Sequence, residues 1–437
     1  MARRLTVTDA HAIVNAVSRQ MFGLDATVQA VDASSFVSVG EKILAAGTEN
    51  VLNALSLVIG RTLIAVRPYE AKLRLINALD SGVFSNRVRK ISYLTRPAQP
   101  TGASNTDLFD NLVDGYTNGQ NTQANPDSTK SMWEQNQPKP IERNFAGSSE
   151  WQESTTVYEN QLQVAFSSEA DFIRFMEGVM TVKANDIEQH KEAFNRVGLL
   201  NLIAGTIAMD TAGTVEGSVI NMTELFNTAY GTAYTSAQLL STYIVEFTQF
   251  FVSTVKTVLE ELTHNSAKYH YNYTQANSDL VLLRHTPMRD VRFMMISDLW
   301  HKVEAMVKPQ IFNTEYLDIG NFESVLYWQN INEPYAINVK PAWPDFTGTG
   351  EQIAAPVATE EPMVIGVMFD RDALMTDFQL DTALSTPVEA RKHYRNIWWT
   401  FRRNLICDFT ENHVVFVMRD PDEDEGSEGG EGGEGGN

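Results

Sequence analysis

The longest helical pattern in this 437-residue sequence begins at Ser168, and it constrains the fold more than any other feature. The segment Ser168–Asp171 resembles a capping box, with Asp in place of the usual Glu or Gln at its last position. Apolar residues then recur at the spacing of one helix face: Phe172, Phe175, Met176, Val179 and Met180. A helix that continues from Ser168 to Met209 is about 60 Å long at ~1.5 Å per residue. We therefore expect a structural spine helix, with Phe175 and Val179 in the core.

Other segments predict a mixture of strands and helices around this spine, so the expected fold class is α+β. Apolar residues from Leu240 to Leu262 step by three and four positions, which predicts a second long helix. The continuous apolar run Met363–Phe369 is typical of a strand buried on both faces. Further predicted elements are the strand Val291–Ile296, the short helix Asp298–Val307, an aromatic-rich segment Val388–Phe401 and a closing strand His413–Met418.

A long polar insertion separates two segments with strand-like alternation. Arg87–Arg96 alternates Ile91 and Tyr93 with polar residues, and Thr155–Phe166 has a similar alternation, so we expect these two segments to pair. Residues 97–154 between them are rich in Asn, Gly, Ser, Thr, Gln and Pro and have no core-forming pattern. A compact domain seldom tolerates such an insertion unless it binds something. We therefore expect a two-stranded arm over residues 87–166 that lies across a neighbouring copy.

Charge is distributed unevenly along the chain, whose 34 basic and 55 acidic residues give a net charge of −21. This balance argues against a protein whose main task is to bind nucleic acid electrostatically. Residues 419–437 carry eight acidic residues and one arginine. We expect the Gly/Glu-rich part from Asp420 to Asn437 to be disordered, so that truncation after Met418 leaves assembly intact.

Basic residues concentrate between Arg61 and Arg96, a range that contains eight of them and two acidic residues. A basic segment on an acidic chain is suited to contact with another copy or with phosphate, although a solvated surface explains it equally well. The candidate inter-subunit contacts at the base of the arm are Arg87, Arg89, Lys90 and Arg96.

The sequence contains no recognisable motif for catalysis, cofactor binding or metal binding. Its eight histidines make no HExxH, HxH or His/Cys pair, and it has neither a P-loop nor a GxSxG elbow. The single cysteine, Cys407, excludes a disulfide within the chain, and its apolar neighbours indicate a small buried residue. No apolar stretch approaches the ~18 residues of a membrane span. We expect a soluble, non-enzymatic protein of a reducing cytosol, or of something assembled there.

The order of these parts resembles the major capsid protein of tailed bacteriophages, and the layout is most similar to the coat proteins of small short-tailed phages. The resemblance covers most of residues 50–418 and is carried by four segments: Val157–Leu162, Val364–Asp372, Tyr394–Trp399 and His413–Met418. It implies an N-terminal arm and lead-in over 1–86 and an extended hairpin loop over 87–166. It also implies a peripheral domain with the spine helix over 167–210 and 363–418, an inserted axial domain over 211–362, and an acidic tail over 419–437.

The resemblance implies a function as well: self-assembly into hexamers and pentamers of an icosahedral or prolate shell around double-stranded DNA. Such a protein is part of the virion and is assembled in the host cytoplasm. The implied partners are neighbouring copies, portal and scaffolding proteins, with no membrane and no sequence-specific contact to DNA. Net negative charge agrees with this function, since like-charge repulsion keeps packed DNA from adhering to the wall. No catalytic residue, cofactor or metal is implied.

Two alternatives stay open on the sequence. One is an enzyme with an unrecognised site, which a metal or a perturbed acid pair in a deep pocket would favour. The other is a different self-assembling structure, such as an encapsulin-like compartment shell or another phage structural protein. Closed shells, or hexamers and pentamers, of the expressed protein would favour the capsid interpretation, whereas a stable monomer at high concentration would exclude it.

Overall fold

The structure is a computed structural model that describes residues 7–22, 29–45, 72–81, 87–94, 139–147, 149–212, 215, 217–271, 282–307, 321–344, 352–354, 357–389 and 391–421. Its helices are α1 (Val7–Phe22), α2 (Ala33–Ala45), α3 (Glu159–Ala165), α4 (Glu169–Thr211), α5 (Met222–Tyr230), α6 (Ser236–Ser241), α7 (Ile244–Thr263) and α8 (Ser297–Val307). The first strands are β1 (Asn77–Leu79), β2 (Arg87–Leu94), β3 (Lys139–Ala146), β4 (Ser149–Tyr158), β5 (Val219–Asn221), β6 (Val291–Ile296) and β7 (Asn321–Val325). The remaining strands are β8 (Ile337–Val339), β9 (Ala342–Pro344), β10 (Gln352–Ala354), β11 (Thr359–Glu361), β12 (Val364–Asp370), β13 (Leu374–Ser385), β14 (Tyr394–Cys407) and β15 (His413–Val417).

Helix α4 is the spine, and the prediction of its extent is confirmed. It has 43 residues, which corresponds to about 64 Å at ~1.5 Å per residue. The predicted cap is present, since the Ser168 hydroxyl accepts a hydrogen bond from the backbone N–H of Asp171 at 3.2 Å. Phe172 is fully buried and Phe175 is partly buried against the same core. The side chain of Val179 lies outside the described part of the structure.

The first half of the spine shares a core with the N-terminal helices and a four-stranded sheet. The strand order of this sheet is β1-β13-β14-β4, with β1 parallel to β13 and the other pairs antiparallel. Its inner face supplies Val157, Ile397 and Trp399 to the core, where α1 and α2 add Val14 and Phe36 among others. The face of β14 that carries Ile397 and Trp399 is therefore buried, and the opposite face, with Trp398, is exposed.

The second half of the spine packs against a five-stranded sheet of order β5-β15-β12-β6-β7. Strand β12 lies at its centre and is buried along its whole length, as its continuous apolar sequence predicts. One face of the sheet packs on Leu202, Ile203 and other residues of the spine, and the opposite face packs on α7. The predicted elements β6, α8, α7 and β15 are all confirmed within a few residues.

This sheet combines strands from both sides of residue 362. Strands β5, β6 and β7 precede that residue, whereas β12 and β15 follow it. The ranges 211–362 and 363–418 therefore share one sheet, and a boundary between them separates neighbouring strands.

The predicted pairing of Arg87–Arg96 with Thr155–Phe166 is wrong. Strand β2 pairs instead with β3, in antiparallel register from Arg87–Ala146 to Leu94–Lys139. Residues 149–158 form β4, which pairs with β14, and residues 159–165 form helix α3. The physical reason is that β14 offers a ten-residue partner for β4 that also buries Val157, a gain that local alternation cannot reveal.

Candidate functional site

Strands β2 and β3 form the base of a hairpin whose two faces differ. On β2, Arg89, Ile91 and Tyr93 are exposed, whereas Ser92 and Leu94 are buried against the body. Lys90 belongs to the inward series by strand alternation. The antiparallel pairing brings Leu94, the last residue of β2, opposite Lys139, the first residue of β3.

The inward face of the hairpin carries a lysine that is paired within the chain. The Lys90 ammonium lies 2.7 Å from Oδ2 of Asp408 and 2.7 Å from Oε1 of Glu411. Both carboxylates belong to the turn between β14 and β15, and Asp408 is fully buried. The turn is ordered in part by Asp408 itself, whose Oδ1 accepts hydrogen bonds from the hydroxyl and backbone N–H of Thr410.

Two guanidinium groups complete this cluster. Arg143 on β3 places Nη2 3.3 Å from Oδ2 of Asp408 and donates to the Ser92 hydroxyl at 3.0 Å. Arg284, which precedes β6, places Nη2 3.1 Å from Oε1 of Glu411 and donates to the same hydroxyl at 2.8 Å. We refer to these residues as the hairpin cluster: Lys90, Ser92, Arg143, Arg284, Asp408 and Glu411. The cluster joins both hairpin strands to the body of the subunit.

The charges of the hairpin cluster depend on one another. Burial opposes the negative charge of Asp408, but Lys90 and Arg143 outweigh it and hold the pKa of that carboxyl at about 2. Burial also opposes the Lys90 ammonium, yet the two carboxylates raise its pKa above the usual value. Burial prevails at Glu411, whose pKa is raised, and at Arg143, whose pKa is lowered. Asp408 and Lys90 are therefore both charged at neutral pH, and they form the electrostatic centre of the cluster.

The four residues proposed from the sequence as inter-subunit contacts have different positions. Arg89 is exposed and pairs with Glu142 on the neighbouring strand. Lys90 pairs within the subunit with Asp408 and Glu411, and its contact with another copy stays a prediction. Arg87 begins β2, with its side chain outside the described part, and Arg96 lies outside the described residues altogether.

Sequence reasoning missed the other members of the hairpin cluster because they come from four separate parts of the chain with no common spacing. The available signal was the alternation of β2 itself. Its larger apolar residues, Ile91 and Tyr93, alternate with Lys90 and Ser92. The series that contains Lys90 and Ser92 faces inward because the body offers it charged partners.

Two buried histidines lie beside this cluster. His413 is fully buried, and its Nδ1 lies 2.8 Å from the carbonyl oxygen of Glu411. His270 lies between the carbonyl oxygens of Leu282 and Lys268. Burial lowers the pKa of both imidazoles, that of His413 to about 4. Both rings are therefore neutral at pH 7 and serve as packed, hydrogen-bonded core groups.

The described residues contain no arrangement that suggests chemistry. Among them, no group of three or more His, Cys, Asp or Glu side chains could hold a metal ion. Burial raises the pKa of the Cys407 thiol to about 12, which removes it as a nucleophile. No helix in this part of the chain has the length and apolar character to cross a bilayer. What the hairpin cluster can do is mechanical: it fixes β2 and β3 to the body of the subunit.

The start of the acidic tail is also attached to the body. Nε and Nη2 of Arg419 donate to Oε2 of Glu361 at 2.8 and 2.6 Å, and Glu361 is only 2% exposed. The Asp420 carboxylate accepts a hydrogen bond from the backbone N–H of Ser236 at 2.6 Å. The expected disorder concerns residues that, from 422 onward, lie outside the described part. The first residues after Met418 are ordered because they satisfy a buried carboxylate.

Comparison with known proteins gives matches at the level of family and of structure. The capsid of Staphylococcus phage Andhra is similar with a TM-score of 0.49 and 11% identity, covering 80% of this chain and 84% of that one. The mature capsid of bacteriophage PhiM1 is similar with a TM-score of 0.42 and 10% identity, covering 81% and 89%. No curated protein sequence matches the chain.

The family comparison covers most of the sequence. The model of the family described as "Phi29-like phage major capsid protein" matches residues 113–417, which is 305 of the 437 residues. The matched range begins before β3 and includes the spine and both sheets except for β1. On this match, the chain belongs to the Phi29-like phage major capsid protein family.

Proposed function

We propose that copies of this coat protein assemble into hexamers and pentamers, which close into an icosahedral or prolate shell around double-stranded DNA. Membership of the capsid family supports the shell, and the hairpin cluster is the observation that carries the mode of assembly. Five charged groups hold the hairpin base to the body. A fixed base gives residues 95–138 a defined starting point from which to contact a neighbouring copy.

In this proposal the extended hairpin loop covers residues 87–146 and not 87–166, because β4 and α3 belong to the body. The spine helix and the four-stranded sheet form the peripheral domain. The axial domain over 211–362 adds α5–α8 and shares its sheet with β12 and β15. Helices α1 and α2 belong to the N-terminal arm and pack on the first half of the spine.

The outward face of the hairpin base is proposed to take part in contact between copies. Ile91 and Tyr93 are 47% and 60% exposed and lie next but one to each other on this face, so together they offer apolar area to a partner. Arg89 lies on the same face. A neighbouring copy that covers this face would bury the two apolar side chains and the Arg89–Glu142 pair.

The partners follow from the same proposal. They are neighbouring copies, a portal and a scaffolding protein, in a virion assembled in the host cytoplasm. The net charge of −21 supports a wall that encloses DNA without binding its sequence. We propose no enzymatic activity, which agrees with the buried, high-pKa thiol of Cys407.

Negative-stain electron microscopy of the expressed chain, alone and with candidate scaffolding protein, tests the proposal. We expect closed shells or separate hexamers and pentamers. A variant that lacks Gly115–Lys130 keeps the hairpin base, and we expect it to fold but to fail to close shells. A wild-type chain that stays monomeric at high concentration under both conditions would contradict the proposal.

A further inference from the structure

The four-stranded sheet has an outer face that points away from the spine helix. Strand alternation places Tyr158, Tyr394, Trp398 and Leu384 on this face, opposite the buried Val157, Ile397 and Trp399. Tyr158 and Tyr394 are direct cross-strand partners with ring centroids 5.9 Å apart, and Trp398 is the partner of Leu384. Tyr158 is 46%, Trp398 39% and Leu384 68% exposed. We refer to these four residues as the aromatic outer face.

Four polar side chains on the same face form two hydrogen-bonded pairs. The Thr156 hydroxyl donates to Oδ1 of Asn396 at 2.7 Å, and Gln152 donates to the Thr400 hydroxyl at 3.4 Å. Polar groups that already have partners lose little when water is removed from them. Covering this face therefore costs less than covering an ordinary polar surface of the same area.

The charges on this face cancel, although the chain as a whole is strongly acidic. Among the residues that β4 and β14 present there, the charged ones are Glu150 and Arg402, and they form a pair at 3.0 Å. The chain as a whole carries −21. Two identical copies repel each other wherever their acidic surfaces meet, so a surface whose charges cancel is where they can approach at least electrostatic cost.

We infer that the aromatic outer face is an interface with a second copy of this chain, an inference that rests on the proposed assembly into a shell. Two observations support a copy of the chain as the occupant: the charges of the face cancel on a chain of −21, and its aromatic residues lie beside polar pairs that are already bonded to each other. Interface centres are enriched in Tyr and Trp and depleted of charge, which matches this composition.

The test places a charge in the face without disturbing the fold. Leu384→Glu changes a residue that is largely exposed, so we expect unchanged circular dichroism and melting but at least a tenfold loss of assembled particles by sedimentation. The matched control is Leu326→Glu, at a position that is 62% exposed and outside this sheet, and we expect it to assemble as wild type does. Normal assembly of Leu384→Glu, or equal loss in both variants, would overturn the inference.

Hydroxyl-radical footprinting of the wild-type chain gives an independent reading. We expect Trp398 to be oxidised several-fold more slowly in assembled particles than in free subunits. Equal oxidation in the two states would overturn the inference while leaving assembly itself intact. If the wild-type chain forms no particles at all, it is the proposed function that fails, so the two failures are distinguishable.

Discussion

Asp408 is the residue on which the hairpin cluster depends most, because it is fully buried and charged. Its Oδ2 faces the Lys90 ammonium at 2.7 Å and the Arg143 guanidinium at 3.3 Å, and its other oxygen holds Thr410. A buried carboxylate that loses a partner is costly, since part of its charge is then left uncompensated away from water. The neighbouring His413 is also buried, and it stays neutral because burial lowers its pKa.

Substitution Lys90→Met tests the role of the cluster at the level of one residue. It removes the cation closest to Asp408 but keeps a similar volume, so we expect a loss of about 3 kcal/mol in the free energy of unfolding. Denaturant unfolding monitored by fluorescence measures it. The control Arg89→Met removes an exposed cation from the same strand, and its loss should stay within about 1 kcal/mol. Equal small losses in both variants would show that the hairpin base is not anchored by charge.

His413 predicts how stability changes with pH. Its pKa in the folded protein is lowered to about 4 from an ordinary value near 6.5, so the unfolded chain binds more protons between these two values. Stability present above pH 6.5 is therefore lost as the pH falls towards 4. We expect wild type to lose about 3 kcal/mol more than His413→Asn, whose amide can keep the bond to Glu411, over this range. Parallel pH profiles of unfolding for the two proteins would contradict the assignment.

At the scale of elements, the spine helix is held so close to the β14–β15 turn that one position tolerates no side chain. A Cβ added at Gly205 would fall well within contact distance of the Phe409 ring, which is fully buried. Gly178 on the same helix is exposed and has nothing within 4 Å of such a Cβ. The two glycines therefore differ in packing but share the same helical context.

Substitution of these glycines by alanine should have effects of opposite sign. We expect Gly205→Ala to destabilise the protein by about 1–3 kcal/mol through overpacking. Gly178→Ala should stabilise it by about 0.5–1 kcal/mol, because alanine restricts the unfolded chain and favours the helix. Thermal unfolding of both variants measures the difference. A stabilising Gly205→Ala would mean that the helix and the turn are farther apart than described.

The start of the tail is attached to the body, so the site of truncation should matter for stability. Truncation after Met418 removes Arg419 and leaves the buried Glu361 without its partner, so we expect a loss of about 1–3 kcal/mol in unfolding free energy. Truncation after Pro421 keeps Arg419 and Asp420, and it should be neutral within about 0.5 kcal/mol. Comparing the denaturant midpoints of the two truncated chains decides the point. Equal midpoints would show that the Arg419–Glu361 pair adds nothing.

How far the sequence predicts the fold depends on whether the signal is local. The Ser168 cap and the buried run of β12 are local features, and both are confirmed. The sequence assigns the apolar residues of 162–166 to a strand, but residues 162–165 belong to helix α3. A stretch this short fits a helical and a strand period equally well, so its surroundings determine which one forms. The pairing of β4 with β14 joins residues about 240 positions apart and leaves no mark in either segment alone.

At the scale of the whole molecule, the spine joins two cores. One contains α1, α2 and the four-stranded sheet, and the other contains the face of the five-stranded sheet opposite to the one that packs on α7. The hairpin cluster lies at the β14–β15 turn, the point where the strand of one sheet leads into the strand of the other. The hairpin is thus fixed to the connection between the two sheets, and a contact made by the hairpin would act on both.

Cryo-electron microscopy of particles formed by the 437-residue chain tests the central claim most directly. The account predicts closed shells of hexamers and pentamers in which β2 and β3 remain attached to their own subunit through Lys90 and Asp408. It also predicts that residues 95–138 contact a neighbouring copy. A chain that forms no oligomer at any concentration, or shells in which these residues contact only their own subunit, would contradict it.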